Sequence, residues 1–494
     1  MVHQSGYLAL DLGAESGRAM LGTVDGKLLR LSEVHRFSNG PVRLADGLHW
    51  DVLRLWTEIK AGLALALRQM GTELAGIGLD TWGVDFALLD RDGGLISNPY
   101  HYRDNRTDGM LEQAFQRVPR EEIFAQTGIQ FMQINSLYQL FSMVRSRSRA
   151  LEMAETFLTV PDLFNYWLTG RKACEFTIAT TTQCYDPSRG DWARSLLDRM
   201  GIPTRMFPPL VPPGTVLGTL SRPVAIELGV DELPVVAPGC HDTASAVAAV
   251  PAEGAGFAYI SSGTWSLVGT ELPAPVINDS SLAFDFTNEG GVDGTYRLLK
   301  NVMGLWLVQE CRRAWAREGS DLSYDEMTHL AAKASPLRSL IDPDCREFLK
   351  PGDMPARIIA FCRRTNQSVP ESKGQVVRCV LESLALKYRW VLERLEDITG
   401  HRLESIHIVG GGTRNRLLNQ FTADATGRQV VTGPVEATAA GNVIVQAMAL
   451  GRIGSLEEGR RIVRNSFPVA TYEPGDRTPW QEAYGRFVLL MDGG

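Results

Sequence analysis

The chain has 494 residues, with 50 basic against 57 acidic side chains and a formal net charge of −7, enough for two or more domains with sizeable cores. That balance argues against a basic surface for nucleic acid or anionic lipid, and no uninterrupted apolar run approaches the ~18 residues of a membrane span. The opening MVHQSGYLALDLG lacks a secretory-leader pattern, so the cytoplasm is the expected location. The seven cysteines include no CxxC pair, which predicts neither a disulfide framework nor a zinc site and leaves a Cys362–Cys379 pairing open.

In chain order, YLAL (7–10) reads as a strand that runs into DLGAESGRAML (11–21). Asp11 closes the strand, Gly13 and Gly17 allow a tight turn, and Ser16 and Arg18 offer donors to phosphate oxygens. A carboxylate beside an anion-binding turn makes sense where a magnesium ion lies between them, often through water. The alternatives are a turn-stabilising aspartate and an arginine paired with a surface acid. EIKAGLALALRQM (58–70) has helical periodicity, and GIGLDTWGVDFALLD (76–90) reads as two strands. Such alternation predicts an α/β fold.

Trp82, Phe86 and, further on, Trp265 are either an apolar wall of a pocket or ordinary core. Arg103 and Arg106 either face a ligand or pair with Asp104 and Asp108. MFPPLVPPGTVLG (206–218) is expected as a rigid surface connection. APGCHDTASAVAAV (237–250) passes from a strand through a turn into a helix that starts near Asp242 and Thr243. On its residues alone Asp242 reads as an N-cap. Three neighbouring side chains diverge, which disfavours a Cys240–His241–Asp242 thiol triad.

PAEGAG (251–256) is a breaker, and the domain boundary is placed near 250, giving domains 1–250 and 251–494. GFAYISSGTWSLVGTEL (256–272) then repeats the opening pattern of strand, Ser/Gly turn and strand, which suggests an internal duplication. In it Ser262, Gly263 and Thr264 match the first turn's phosphate-binding chemistry. No P-loop lysine, dinucleotide fingerprint or nucleophile elbow is present. In SIHIVGGGTRNRLLNQFTADATG (405–427) a triple-glycine turn precedes a helix, where a flat ring could lie on backbone or a strand and helix could simply pack closely.

Taken together, a hairpin with an acid, an aspartate before an Ala-rich helix, a second Ser/Gly/Thr hairpin and a glycine turn before a helix resemble the ATPase architecture of actin, hexokinase and the heat-shock chaperones. The resemblance implies a two-domain fold with duplicated sheet-and-helix domains around a central cleft. PDLFNYWLTGRKACEFTIATTTQCYD (161–186) and VGGGTRN (409–415) resemble the FGGY family of carbohydrate kinases. DTWGVDF (80–86), YRDNRTDG (102–109), HDTASAV (241–247), SSGTWSLVG (261–269), NEGG (288–291) and KNVMGLWLVQ (300–309) are similar to a branch of it that phosphorylates a ketose at the C1 hydroxyl.

What the resemblance implies is transfer from ATP, with magnesium, to a small sugar, with no nucleic-acid or membrane partner and an undetermined oligomeric state. It makes Asp242 the catalytic base. Ala14, Glu15, Ser16, Gly17 and Arg18 match the first phosphate loop, and Thr264, Gln309 and Gly411 match further nucleotide contacts. Gly83, His241, Asp242, Thr243 and Asn301 match sugar-contacting positions, and Asp11 matches a carboxylate near magnesium, reached through water. The chain departs from the family at His241, where many relatives have glycine, and at Glu15, where a small residue is expected. A kinase for another ketose, or a non-catalytic sugar or ATP sensor on the same scaffold, remain the alternatives.

Overall fold

The computed structural model describes residues 5–254 and 256–492. Residues 1–4, which open the segment expected to carry no leader, and Ala255 of the PAEGAG breaker lie outside the described residues. The chain forms two compact units. One holds the residues up to Glu253 together with Glu271–Leu298 and Glu436–Phe467; the other holds Gly254–Thr270, Leu299–Val435 and the residues from Pro468 onward. The units therefore interleave in sequence and do not part at one point.

In the first unit the hairpin Ser5–Leu12/Ser16–Val24 is antiparallel, with Leu29–Ser38 antiparallel on its outer side. Leu74–Thr81 runs parallel to Ser5–Leu12, and Pro234–Ala237 runs parallel to Leu74–Thr81. Ser5–Leu12 is buried at every position after Ser5, the pattern of a central strand covered on both faces. The helix Val52–Met70 starts where the Asp51 side chain accepts the Arg54 amide at 3.0 Å. It buries Val52, Leu55, Ile59, Gly62, Leu63 and Ala66, one apolar stripe at helical spacing.

The expectation for the proline-rich piece needs correcting. Within it Thr215–Thr219 is a strand paired antiparallel with Pro234–Ala237 at the sheet edge, and Met206 and Phe207 are buried. Pro212 and Pro213 precede that edge strand, a position where a missing N–H costs no ladder bond.

In the second unit the order is Tyr296–Met303, Trp265–Leu272, Phe257–Ser262, Ser405–Val409, Gln429–Thr432 and Thr471–Tyr472. Phe257–Ser262 and Trp265–Leu272 form the antiparallel hairpin, and Ser405–Val409 and Gln429–Thr432 follow in parallel. Each sheet thus sets a later strand beside the hairpin's second strand, Leu29–Ser38 or Tyr296–Met303, and two parallel strands in succession beside its first, Leu74–Thr81 with Pro234–Ala237 or Ser405–Val409 with Gln429–Thr432. This shared order bears out the duplication that the two opening hairpins suggested.

The helix Ala437–Ala449, from late in the chain, belongs to the first unit and lies in a groove made by missing side chains. A Cβ on Gly78 would sit 2.3 Å from Asn442 Oδ1, one on Gly22 2.5 Å from a Val443 methyl, and one on Gly441 1.7 Å from the Ser245 carbonyl. The helix is therefore pressed against the sheet on one side and against the helix Asp242–Ala248 on the other. Close packing of this kind delivers Glu436 and Asn442 to the end of the sheet where Asp11 lies.

Candidate active site

In the first unit the site grows from strand register. Asp11 is the Cα partner of Arg18 across the hairpin and of Asp80 across the parallel pair, so the three side chains share one face. Arg18 Nε donates to Asp11 Oδ2 at 3.0 Å, and its Nη1 also pairs with Glu436. Asp80 is wholly buried; its Oδ2 accepts from Asn442 Nδ2 at 2.5 Å, and its Oδ1 is buried without a hydrogen-bond partner.

Burial pushes the Asp11 carboxyl up to about 6, against the pull of Arg18, and Asp242 and Glu436 add to the rise. Asp80 is pushed well above the usual range by burial first and by Asp11 next. Asp80 was not singled out from sequence, because nothing in DTWGVDF reveals a parallel register with Asp11.

The turn residues Gly13, Ala14, Glu15 and Ser16 close with the Gly13 amide donating to the Ser16 carbonyl at 3.0 Å, and Asn39 donates to the Gly13 carbonyl at 2.8 Å. Ala14 and Ser16 are half-buried, and Glu15, the departure from the family, is exposed. Gly17 has a packing reason to be glycine: a Cβ there would sit 2.2 Å from the Phe37 ring.

The segment 240–243 is bolted into place by buried polar groups. Thr81 N donates to the Cys240 carbonyl at 2.9 Å, Cys240 N to Glu175 Oε2 at 3.1 Å, and His241 N to Thr177 Oγ1 at 3.1 Å. Glu175 is itself buried and also accepts the Thr177 and Ile178 amides and the Thr177 hydroxyl. Burial pushes it up to about 8, against those hydrogen bonds.

The N-cap reading of Asp242 does not hold, since His241 is the N-cap residue and Asp242 opens the helix Asp242–Ala248. Its Oδ1 accepts the Thr243 amide at 2.6 Å and the Thr243 hydroxyl at 3.1 Å, and the side chain keeps 31% of its surface open. A carboxylate held through one oxygen, on a side chain that keeps part of its surface exposed, is suited to receive a proton. The Cys240 thiol, by contrast, is buried and pushed well above its usual range, which leaves it inert as a nucleophile. His241 stands with Nε2 3.4 Å from Asp242 Oδ1 and Nδ1 3.3 Å from Glu289 Oε2.

Gly83 sits in a strained turn. The Asp85 amide donates to the Gly83 carbonyl at 2.9 Å with Val84 at φ 67° between them, a γ-turn of the rare hand on a β-branched residue. The turn is braced by Thr181, whose hydroxyl accepts the Val84 amide at 3.2 Å and would lie 3.2 Å from a Cβ on Gly83. Below it Asp85 collects Trp50 Nε1 at 2.6 Å, Trp82 Nε1 at 3.0 Å, the Tyr102 amide at 3.2 Å and Gln139 Nε2 at 2.9 Å. Strain that is so fully supported accompanies functional sites.

Trp82 lies 4.0 Å from Trp50 and Phe86 4.9 Å from Phe157, ring to ring, so both are core. Arg106 Nη2 donates to Gln139 Oε1 at 2.6 Å, and the guanidinium lies over the Tyr100 ring.

In the second unit Gly263 and Thr264 form the hairpin tip. Their carbonyls accept from Leu305 N at 3.0 Å and from Gly304 N and Trp306 N at 3.1 Å, tying the tip to the start of the helix Trp306–Arg317. Gln309 lies on that helix with a buried Oε1 that has no hydrogen-bond partner among the described residues. Asn301 is half-buried on Tyr296–Met303.

In the glycine turn, a Cβ on Gly412 would sit 2.0 Å from Ser262 Oγ and one on Gly410, at φ 85°, 3.1 Å from the Ser262 carbonyl. Gly411 is exposed with nothing near it, so of the three it alone is free to face a ligand. The structure thus groups Asp11, 14–18, Gly83 and 241–243 on the first unit, and Thr264, Asn301, Gln309 and Gly411 on the second.

No group of three or more His, Cys, Asp and Glu side chains among the described residues is arranged to hold a metal ion. Asp11 and Asp80 instead offer two buried oxygen-bearing groups side by side, one with an unpartnered oxygen. That donor set fits a hydrated magnesium ion held at one remove better than one directly caged. All seven cysteines are free, Cys362 and Cys379 among them.

Residues 6–249 match the N-terminal domain, and residues 258–450 the C-terminal domain, of the FGGY family of carbohydrate kinases. The chain is 47% identical to a rhamnulokinase of Bacteroides thetaiotaomicron, over 97% of this chain and 98% of that one. It is 42% identical to a rhamnulokinase of Oceanobacillus iheyensis, over 94% and 97%, and 38% identical to one of Bacillus subtilis, over 95% and 96%. In fold it is similar to gluconate kinase of Lactobacillus acidophilus, with TM-score 0.81 at 16% identity over 99% of this chain and 98% of that one. Plasmodium falciparum glycerol kinase with ADP aligns at TM-score 0.79 and 15% identity over 98% of both chains.

Proposed function

The chain belongs to the FGGY family of carbohydrate kinases, with the actin/hexokinase-like fold of that family, and from this membership we propose that it transfers the γ-phosphoryl group of ATP to the C1 hydroxyl of L-rhamnulose. The products are L-rhamnulose 1-phosphate and ADP, a step in the degradation of L-rhamnose. Near-full-length identity to rhamnulokinases supports the choice of sugar. The observation that carries the chemistry is Asp242, whose Oδ1 is held by Thr243 while the carboxylate stays open.

Asp242 receives the proton of the C1 hydroxyl as its oxygen attacks phosphorus, and holds that hydroxyl in line beforehand. Gly83, His241, Thr243 and Asn301 are assigned to the sugar, with the braced turn at Val84 fixing Gly83. In the first unit Ala14, Glu15, Ser16, Gly17 and Arg18 are assigned to the phosphates, where Arg18 exchanges its carboxylate partners for phosphate oxygens. In the second unit Thr264, Gln309 and Gly411 are assigned to the nucleotide.

Magnesium, when bound with the triphosphate, supplies neutralisation of the phosphate charge. Asp11, with Asp80 beside it, would hold its water shell. Among the described residues no helix is long and apolar enough to cross a membrane. The reading places the enzyme in the cytoplasm, where ATP is available, and divides the work between domains 1–250 and 251–494. ADP release measured with and without magnesium over L-rhamnulose, L-fuculose, xylulose and fructose tests it: L-rhamnulose should give the highest kcat/KM. Preference for another ketose would reassign the sugar, and no sugar-dependent release would leave a sensor.

A further inference from the structure

We propose that Glu289 and Arg297 are positioning residues for the transfer step, acting through the His241 ring to fix which oxygen of Asp242 faces the sugar. The proposal rests on the reading of Asp242 as the base. Arg297 is wholly buried; its Nε donates to the Gly290 carbonyl at 2.9 Å, and its Nη2 lies 3.1 Å from Glu289 Oε2 and 3.1 Å from His241 Nδ1. Glu289 Oε2 in turn lies 3.3 Å from His241 Nδ1, and His241 Nε2 lies 3.4 Å from Asp242 Oδ1. Four charged or titratable side chains from two strands and one helix start therefore form a single buried row that ends at the open carboxylate.

A buried ion pair is a poor way to stabilise a fold, since well-packed apolar residues of similar volume serve as well or better. Here the pair also leaves Arg297 Nη1 buried without a partner. What the pair does accomplish is to fix the proton of His241. If the ring is neutral, the Arg297 Nη2 donor 3.1 Å from Nδ1 opposes a hydrogen there, against the pull of Glu289 Oε2 at 3.3 Å, so the hydrogen resides on Nε2; if it is cationic, Nδ1–H donates to Glu289 and Nε2 again carries a hydrogen. Both arrangements put a hydrogen on Nε2, 3.4 Å from Asp242 Oδ1.

That oxygen already accepts the Thr243 amide and hydroxyl. With His241 Nε2 3.4 Å away as a further electrostatic contact, Oδ1 is the oxygen the protein holds, and the other oxygen, Oδ2, is left for the hydroxyl proton. Burial pushes Glu289 up, but its bonds to His241 and Arg297 outweigh this and hold it below the usual range, so it stays an acceptor for the row.

Glu289→Gln and Glu289→Asp in the full chain, each also combined with Asp242→Asn, test the proposal together with nitrogen-15 NMR of the His241 ring in the unaltered protein. The expected results are a kcat about 10-fold lower in Glu289→Gln, in line with the cost of small misplacements at a reacting centre, a KM for L-rhamnulose changed by less than about 2-fold, and partial recovery in Glu289→Asp. In the Asp242→Asn background the Glu289 substitution should cost nothing further, because the two act as one unit. The ring spectrum should show a protonated Nε2.

A normal kcat in Glu289→Gln, or a bare Nε2, overturns the proposal, and the ring spectrum decides alone if that variant melts without a cooperative transition. Normal turnover in Asp242→Asn would instead remove the base reading itself, which distinguishes the two failures.

Discussion

Asp11 and Asp80 are register partners on neighbouring parallel strands, and both carboxyl groups are buried. Asp80 keeps one oxygen on Asn442, from the helix Ala437–Ala449, and leaves the other unpaired. Asp80→Asn preserves the volume and the acceptor and removes the like-charge pair, so it should unfold in urea at or above the midpoint of the unaltered protein. Asp80→Ala strands the Asn442 amide and should lose about 1–3 kcal/mol. Equal losses in both variants would show that the Asn442 contact is not what holds Asp80.

The glycine turn gives a contrast within three residues. Gly412→Ala drives a methyl to 2.0 Å from Ser262 Oγ, and Gly411→Ala meets open space. The first substitution should displace the Ser262–Thr264 hairpin tip and raise the KM for ATP by about 10-fold or more, whereas the second should change thermal stability little. Equal thermal midpoints in the two variants would contradict this division.

Glu175 makes stability depend on pH. Its folded value of about 8 exceeds the ordinary 4.5, so between those limits the folded state keeps a proton that the unfolded state has released, and stability must fall as pH rises through that window. Thermal midpoints measured from pH 5 to pH 8.5 should therefore decline less steeply in Glu175→Gln than in the unaltered chain. Parallel curves would mean that Glu175 titrates at its ordinary value.

Much of the arrangement was legible in the residues. The two hairpins, the helix start at Asp242 and the glycine turn each have local signatures, because turns and helix starts are set by a few adjacent residues. Asp80, Glu175, Glu289, Arg297 and Asn442 have none. Their roles arise from pairings such as Asp11 with Asp80 and Cys240 with Glu175, which join residues far apart in the chain. The proline-rich segment misled for a related reason: proline argues against a central strand, yet an edge strand tolerates it. Asp242 reads as a cap until the backbone shows His241 in that place.

The central claim is that Asp242 aims and deprotonates the sugar hydroxyl, and turnover of Asp242→Asn with saturating L-rhamnulose and magnesium–ATP, followed by phosphorus NMR of the product, tests it most directly. The account predicts L-rhamnulose 1-phosphate from the unaltered chain and a kcat lower by ~10²-fold or more in the variant, the range for a positioned acid–base group, with sugar still bound. Turnover by the variant near the unaltered rate, or phosphate at a hydroxyl other than C1, would contradict it.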